Sequence, residues 1–292
     1  MPILKVLAVV FPVFSIIGIG YAFARFRRIS LEPIIEVLLY LTIPALVISS
    51  LLEKEIVTKD LFAVSGSALL VVLGTGLLSM AYLRLAGKRR MRGFYLPTMF
   101  MNSGNMAFPL AFLAFGPEGL AVAVIYYVSI GLLVYSLGIY IAKGKGGFTE
   151  IFKLPLIYAA AIGVSLNLTG HTLPSPLLTT FDMLGEATIP LMQISLGYRL
   201  FSARLSMPGM SIAGSLIRIV GGFAIALAVV QVFGIEGLNR QIILLSSSMP
   251  AAVINFVVSH RYRLDSELVA STVAMSTLLS VVTTPILLLW IM

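Results

Sequence analysis

The 292-residue chain contains no cysteine, so disulfide bonds, thiolate nucleophiles and cysteine-ligated metals are excluded. It also has few charges, since 11% of its residues are charged against about 25% in a typical soluble domain. Hydrophobic residues make up 59% of the chain, and its mean hydropathy is +1.04. These values indicate an integral membrane protein whose outer surface faces lipid.

Further absences narrow the function. The chain has 2 histidines, with no His-x-x-x-His pair and no aspartate-rich cluster in its apolar stretches, which argues against a membrane-embedded metalloenzyme. It has no Gly-x-x-x-x-Gly-Lys-Ser/Thr loop, which argues against an ATP-driven pump. We therefore predict that the protein is not an enzyme and needs neither a cofactor nor a metal.

Apolar stretches follow one another along the whole chain, joined by short connections. A stretch of about 20 apolar residues crosses a bilayer as a helix. This pattern predicts an all-α protein with ten spans at residues 3–24, 33–52, 61–83, 94–116, 118–142, 152–169, 175–198, 209–233, 240–260 and 265–291.

The basic residues indicate the orientation of these spans. Most of the 20 lysines and arginines lie in the connections after the odd-numbered spans, from Arg25 after the first to Arg263 after the ninth. The positive-inside rule places these connections in the cytoplasm and both termini outside, as in a multi-pass protein of the cytoplasmic (inner) membrane. The net charge of +8 then reflects orientation and attraction to anionic lipid, and no nucleic-acid partner is needed.

One motif occurs twice. Thr42-Ile43-Pro44 leads to Ile48-Ser49, and half the chain later Thr188-Ile189-Pro190 leads to Ile194-Ser195. The match predicts a duplication into residues 1–146 and 147–292. Five spans per copy force the second copy to lie inverted relative to the first, an arrangement that recurs in secondary transporters.

The fourth and ninth spans each combine a helix breaker with polar side chains halfway along. The fourth reads Asn102-Ser103-Gly104-Asn105 before Pro109, and the ninth reads Ser246-Ser247-Ser248 before Pro250 and Asn255. Proline interrupts a helix, and the freed backbone groups must line a cavity or be covered by protein. We therefore predict that the fourth and ninth helices are broken around a binding site. The alternative is two simple proline kinks whose polar side chains join neighbouring helices.

The order and spacing of these motifs resemble the auxin efflux carrier family, which includes the plant PIN-formed carriers and bacterial malonate and malate carriers. The resemblance covers essentially the whole chain. It rests on Asn102-x-x-Asn105-x-x-x-Pro109-Leu110, on Ile189-Pro190-x-x-x-Ile194-Ser195-x-Gly197, on Met249-Pro250 with Tyr262, and on the tail from Ser276-Thr277 to Thr284-Pro285.

The resemblance implies a fold like that of sodium/proton antiporters and bile-acid symporters, with the broken helices crossing at mid-membrane. Spans 1, 2, 6 and 7 (about 3–52 and 152–198) would form a scaffold domain through which two copies dimerise. Spans 3–5 and 8–10 (about 61–142 and 209–291) would form a transport domain. Small organic carboxylates would be carried by an elevator-like movement of the transport domain past the scaffold.

Within that fold the expected substrate-binding residues are Asn102, Asn105, Pro109, Ser248, Pro250, Asn255, Tyr126 and Arg218. An asparagine amide offers both donors and acceptors to a carboxylate. Arg218 is expected either to face the anion or to extend to the inner surface, because an unpaired charge inside a membrane is unfavourable. Glu186 is a candidate for proton coupling, or a partner for Arg218.

Two functions from different classes fit the sequence. The first is a secondary transporter of small organic anions, and the second is a membrane sensor that binds such an anion without moving it. The resemblance disfavours sodium coupling, because sodium-coupled relatives of this fold use an acidic residue on the ninth helix and residues 240–260 here contain no aspartate or glutamate. The substrate, the direction of transport, and the choice between proton coupling and no coupling stay open.

Overall fold

The computed structural model describes residues 2–203 and 205–292, without the side chains of Pro2 and Phe148. Met1, in the predicted first repeat, and Arg204, in a predicted basic connection, lie outside the described residues. Within the described residues the chain is helical, apart from connections and one isolated β-bridge. The helices there that are long and apolar enough to cross a membrane are Ile3–Phe26, Glu32–Leu52, Thr58–Leu85, Ala107–Lys143, Pro208–Val232 and Ser266–Ile291. The protein is therefore a multi-pass α-helical membrane protein.

The α-helices are α1 (Pro2–Phe26), α2 (Glu32–Val37), α3 (Ile43–Leu52), α4 (Thr58–Leu85), α5 (Tyr95–Met99), α6 (Ala107–Leu133), α7 (Ile139–Lys143), α8 (Phe148–Ile151), α9 (Pro155–Leu168), α10 (Ser175–Glu186), α11 (Thr188–Phe201), α12 (Pro208–Leu216), α13 (Gly222–Val232), α14 (Gly237–Ser247), α15 (Ile254–Arg261) and α16 (Ser266–Ile291). Short π-helical segments join α2 to α3 at Leu38–Thr42, α6 to α7 at Val134–Gly138, and α12 to α13 at Ile217–Gly221.

The long helices are fewer than the predicted spans because some stretches hold shorter helices. The stretch 94–116 is interrupted after α5, 240–260 is interrupted between α14 and α15, and 175–198 is divided between α10 and α11. The stretch 152–169 contains α9, which is apolar but shorter than the other membrane helices. The arrangement of ten spans in two inverted repeats therefore stays a prediction.

Helix α6 reverses direction at Gly116. This residue has φ 72° and ψ −166°, which no residue in a helix adopts. A Cβ on Gly119 would lie 2.9 Å from the Ala111 carbonyl oxygen, whereas these residues would be about 12 Å apart along a continuous helix. The chain thus folds back between the predicted fourth and fifth spans.

Glycines allow close packing of helices from the two halves of the chain. Gly20 of α1 lies against the Ile194 backbone of α11, and Gly197 of α11 lies against the Ile17 carbonyl, so closely that neither position has room for a Cβ. Helix α9 packs on α3 in the same way, with Gly163 against Leu51. Small residues at such contacts are typical of membrane helices, because they let the backbones approach.

The connections cluster at two ends of the helix bundle. At one end, the Tyr198 hydroxyl donates to the Ile29 carbonyl at 2.9 Å, and the Gly93 amide donates to Asp265 Oδ2 at 3.1 Å. This end carries the basic connections after α1, α4, α7, α11 and α15, and we call it the basic end. At the opposite end, the Asn167 side chain joins the connection after α3 to α9 by donating to the Leu51 and Lys54 carbonyls.

Candidate functional site

Two interrupted helices meet in the middle of the bundle. Helix α5 ends at Met99 and α6 begins at Ala107, while α14 ends at Ser247 and α15 begins at Ile254. Between them, Met101 and Ala251 form an antiparallel bridge. The Asn102 amide donates to the Pro250 carbonyl at 2.7 Å, and the Ala252 amide donates to the Phe100 carbonyl at 3.0 Å. We call the paired stretches 100–106 and 248–253 the crossover.

The crossover satisfies much of its own buried backbone. Pro250 cannot donate a hydrogen bond, but its carbonyl accepts one across the bridge. Asn255 is fully buried, and its Nδ2 donates to the Phe100 carbonyl at 2.9 Å. Pro109 lies in the first turn of α6, where a missing amide hydrogen is tolerated. These residues hold the two breaks together, so the sequence signal for broken helices coincides with a fixed structure.

Asn102 has a free hydrogen-bond donor in the crossover. Its Oδ1 accepts from the Asn105 amide at 3.1 Å, but its Nδ2 has no partner although the residue is 4% exposed. The Asn105 side chain reaches the other way and donates to the Met192 carbonyl of α11 at 3.1 Å. One asparagine thus offers a donor to a solute, and the other ties the crossover to α11.

Arg218 lies on a different side of the crossover. It is fully buried, and its guanidinium donates to the carbonyls of Thr98 at 3.0 Å, Met99 at 2.9 Å and Ser247 at 2.7 Å. These carbonyls belong to the C-terminal ends of α5 and α14, where unpaired carbonyl groups carry a partial negative charge. One fixed positive charge therefore offsets two helix ends, and the nearby Gly222 leaves room for the guanidinium.

A cavity of about 200 Å³ borders the crossover. Its walls are mostly aliphatic, and they include Asn102, Asn105, Tyr127 and Ser195. Among the described residues that line it, Arg199 is the one with a charged side chain. Parts of two π-helical segments, Leu38–Thr42 and Val134–Gly138, also form its walls. Since π-helical turns are frequent at functional sites, their position supports a binding role for this cavity.

A second cavity of about 750 Å³ continues the first towards the basic end. The two cavities share Leu196, Arg199 and Val253 in their walls. The second cavity is also lined by Ser30 after α1 and by Ser202 after α11, both in connections of the basic end. A solute arriving from the basic end would therefore pass Arg199 before it reaches Asn102.

Two of the eight residues expected to bind substrate line the smaller cavity, and six do not. Asn102 and Asn105 line the smaller cavity, whereas Pro109, Ser248, Pro250, Asn255, Tyr126 and Arg218 are not among its lining residues. The Ser248 hydroxyl donates to the Leu244 carbonyl at 2.7 Å within its own helix. The Tyr126 hydroxyl lies 2.8 Å from Ser247 Oγ, on the same side of the crossover as Arg218.

Neither expected environment of Arg218 is observed, because its guanidinium binds carbonyls of the crossover helices rather than extending to the surface. Glu186 does not pair with Arg218. It is exposed at the end of α10, and within the described residues the single ion pair joins Lys153 to Glu150. Nor is Glu186 among the residues that line the two cavities.

By sequence Tyr126 and Tyr127 are both candidates for the pocket wall, and Tyr127 is the one that lines the cavity, whereas Ser195 and Arg199 were not expected there. Tyr127 packs edge-on against Phe108, with ring centroids 4.9 Å apart, and faces Gly104. Ser195 is 6% exposed, and its hydroxyl has no partner. Arg199 follows Ser195 by one helical turn. The repeated Ile-Ser motif was the available signal for Ser195, while Arg199 looked like one more basic residue of a connection.

No group of three or more His, Asp or Glu side chains in the described part of the chain is placed to hold a metal ion.

Comparison with known proteins gives consistent matches. A family model described as "Membrane transport protein" matches residues 147–288. An uncharacterized transporter of Methanothermobacter thermautotrophicus is 32% identical over 267 residues, which covers 86% of each chain. An uncharacterized transporter of Methanocaldococcus jannaschii is 31% identical over 203 residues, covering 65% of each.

Proposed function

Because the chain belongs to the auxin efflux carrier-type family of membrane transport proteins, we propose that it carries small organic carboxylate anions across the cytoplasmic membrane. The observation that carries this proposal is the free Nδ2 donor of Asn102 in the wall of an apolar cavity. A buried donor without a partner is unfavourable, so the site favours a ligand that brings an acceptor. Family membership also indicates a transporter rather than an enzyme.

The helix packing supports ten spans in two inverted repeats. Helix α1, in the predicted first span, packs along α11, in the seventh, and their counterparts α9 and α3, in the sixth and second spans, also pack on each other. In the same way α4 packs on α13, which pairs the third span with the eighth. An inverted duplication requires such reciprocal contacts, and we divide the chain at residue 146 accordingly.

We assign the scaffold to spans 1, 2, 6 and 7 and the transport domain to spans 3–5 and 8–10. Asn105 crosses between them, since it lies in the crossover and binds the Met192 carbonyl of the scaffold helix α11. An elevator-like movement would break this bond and carry the crossover past α11. The scaffold also presents apolar side chains on its outer surface, such as Tyr158, Ile162 and Met183, which suit either lipid or a second copy in a homodimer.

The positive-inside rule orients the molecule. With the basic end in the cytoplasm, both termini are extracytoplasmic and the two connected cavities open inwards. The structure then corresponds to an inward-facing state of the carrier. The N-terminal ends of α6 and α15 begin beside the crossover, and their positive partial charges favour an anion there.

We infer that coupling, if present, uses protons rather than sodium. Glu186 is the candidate for proton coupling, although its exposed carboxyl lies away from the cavities. Replacing it by glutamine tests this role. Loss of the pH dependence of transport in Glu186→Gln would support proton coupling through this residue. An unchanged pH dependence would leave the substrate's own charge as the driving force.

The proposal is tested by measuring electrogenic transport in proteoliposomes with malonate, malate and indole-acetate, each with and without sodium. We expect a sodium-independent current for at least one acid. The current should be lost in Asn102→Ala and absent from liposomes without protein. Binding of an acid without any current would favour the alternative, a membrane sensor that uses the same cavity. A current unaffected by Asn102→Ala would place the site elsewhere.

A further inference from the structure

We propose that Arg199 recognises the negative end of the substrate. The inference rests on the proposed function and concerns the same site. It starts from the distribution of charge in the cavity, where Arg199 is the one charged side chain among the described lining residues. Arg218 does not fill this role, because its guanidinium is bound to carbonyls at the C-terminal ends of α5 and α14.

Arg199 has a free charge. In the described part of the chain the single ion pair within 4.0 Å joins Lys153 to Glu150, so no carboxylate there forms an ion pair with Arg199. Glu32, which lines the neighbouring cavity, is exposed to solvent and acts on Arg199 only over a longer distance. A planar guanidinium can bind a carboxylate through two parallel hydrogen bonds.

Neutral donors complete the anion site. Ser195 and Arg199 are separated by one turn of α11, which places both side chains on the same helix face. The Ser195 hydroxyl and the Asn102 amide are both buried without partners, and both residues line the same cavity. Arg199 and Ser195 therefore offer a cation and a neutral donor from one helix face, and Asn102 offers a further donor deeper in the cavity.

The rest of the cavity fits an apolar body. Its walls include Leu38, Ile130 and Leu196, with Tyr127 beside the crossover. Its volume is about 200 Å³. Since an apolar cavity of about 150 Å³ accommodates benzene, a ring-sized body with one carboxylate fits this space.

The test compares Arg199→Gln with Arg199→Lys and with Arg28→Gln, an exposed arginine of the same end that lines neither cavity. Transport and binding of indole-acetate, its neutral amide and malonate are measured for each variant in proteoliposomes. We expect Arg199→Gln to raise KM and Kd for indole-acetate by about tenfold or more, with little change in kcat and in the Kd for the amide. Arg199→Lys should retain most of the affinity, and Arg28→Gln should match the wild type.

The measurements are repeated in vesicles of neutral phosphatidylcholine, because an arginine near the surface also attracts anionic lipid. A rise in KM that occurs only with anionic lipid would assign Arg199 to the headgroups and overturn the inference. So would an equal loss of affinity for the acid and the amide, or wild-type affinity in Arg199→Gln. If the wild type neither moves nor binds any acid, the proposed function fails and the inference fails with it. If the wild type transports an acid and Arg199→Gln has the same KM and Kd, the inference about Arg199 fails while the proposed function stands.

Discussion

The two sides of the crossover differ in whether a charged side chain of the protein binds the helix ends that meet there. On one side, the C-terminal ends of α5 and α14 converge on the fully buried Arg218, which donates to three of their carbonyls. On the other side, the N-terminal ends of α6 and α15 lie beside a cavity in which Asn102 keeps a free donor. The protein neutralises the negative helix ends with its own side chain, whereas the described residues that line the cavity beside the positive ends include no aspartate or glutamate.

From this difference we expect the Arg218 side to hold the broken helices together and the cavity side to bind the solute. The breaks are held by the Met101–Ala251 bridge, the Asn255 bond to Phe100 and the Arg218 bonds, none of which involves a ligand. Buried polar atoms without partners occur on both sides, such as Asn102 Nδ2 and Arg218 Nε, and of these two residues Asn102 lines the cavity. Variants on the Arg218 side should therefore impair stability first, and variants on the cavity side should impair affinity first.

The largest effect is expected from Arg218→Gln. Removing the guanidinium leaves buried carbonyls at two helix ends without donors, and removing one member of a buried charged network costs about 3–5 kcal/mol. We expect a strongly lowered melting temperature in detergent and increased hydrogen exchange at residues 96–108. Arg199→Gln is the matched control with the same chemical change on the cavity side. Similar melting temperatures for both variants would contradict the comparison.

Asn102→Asp should have the next largest effect, and on function rather than on folding. The aspartate retains an oxygen that can accept from the Asn105 amide, but it replaces the free donor with a negative charge. We expect affinity for a carboxylate to fall by about a hundredfold, as for the loss of a hydrogen bond to a charged group. The N-terminal ends of α6 and α15 offset part of the cost of burying the new carboxylate, so the melting temperature should fall less than in Arg218→Gln. Retained affinity in Asn102→Asp would show that the free donor does not face the substrate.

Gly222→Ala tests how closely the Arg218 side is packed. A Cβ at this position would overlap the Arg218 guanidinium and the Ser247 carbonyl oxygen. Forcing one methyl group into a filled space costs about 1–3 kcal/mol. We expect a moderately lowered melting temperature, measured beside Gly209→Ala, where a Cβ meets no neighbouring atom within 4 Å. Equal stabilities of the two variants would indicate that Arg218 has room to move.

Asn105→Ala should give the smallest effect. It removes one neutral hydrogen bond, to the Met192 carbonyl, which contributes about 1 kcal/mol. Because this bond joins the crossover to α11, we expect a change of a few fold in kcat with a nearly constant Kd. Rapid kinetics of current onset in proteoliposomes would measure this difference. A change confined to Kd would make Asn105 a ligand rather than a connection between domains.

Part of this arrangement was predictable from the sequence. A proline next to clustered Ser and Asn residues occurs in both broken stretches, and polar side chains at a helix break have few stable environments in a membrane. The side that each residue faces was not predictable. Arg218 lies in the π-helical segment Ile217–Gly221, which disturbs the regular rotation of about 100° per residue. Tyr126 and Tyr127 are neighbours, and only the rotation of α6 determines which of them reaches the cavity.

Arg199 was missed for another reason. Its position at the end of a span matched the positive-inside pattern, and that pattern already accounted for its charge. The cavity that it lines is formed by residues from distant parts of the chain, such as Leu38, Ile130 and Val257. Sequence periodicity does not report distances between separate helices, so the position of Arg199 in a cavity wall was not predicted.

Arg218 also bears on the energetics of a transport cycle. The covalently attached charge of its guanidinium offsets the negative ends of α5 and α14 whether or not a cation is bound. In a cycle where one monovalent anion is the only charge that moves, the membrane potential alone sets the limit. At 100 mV, inside negative, that limit is an outward concentration ratio of about fiftyfold.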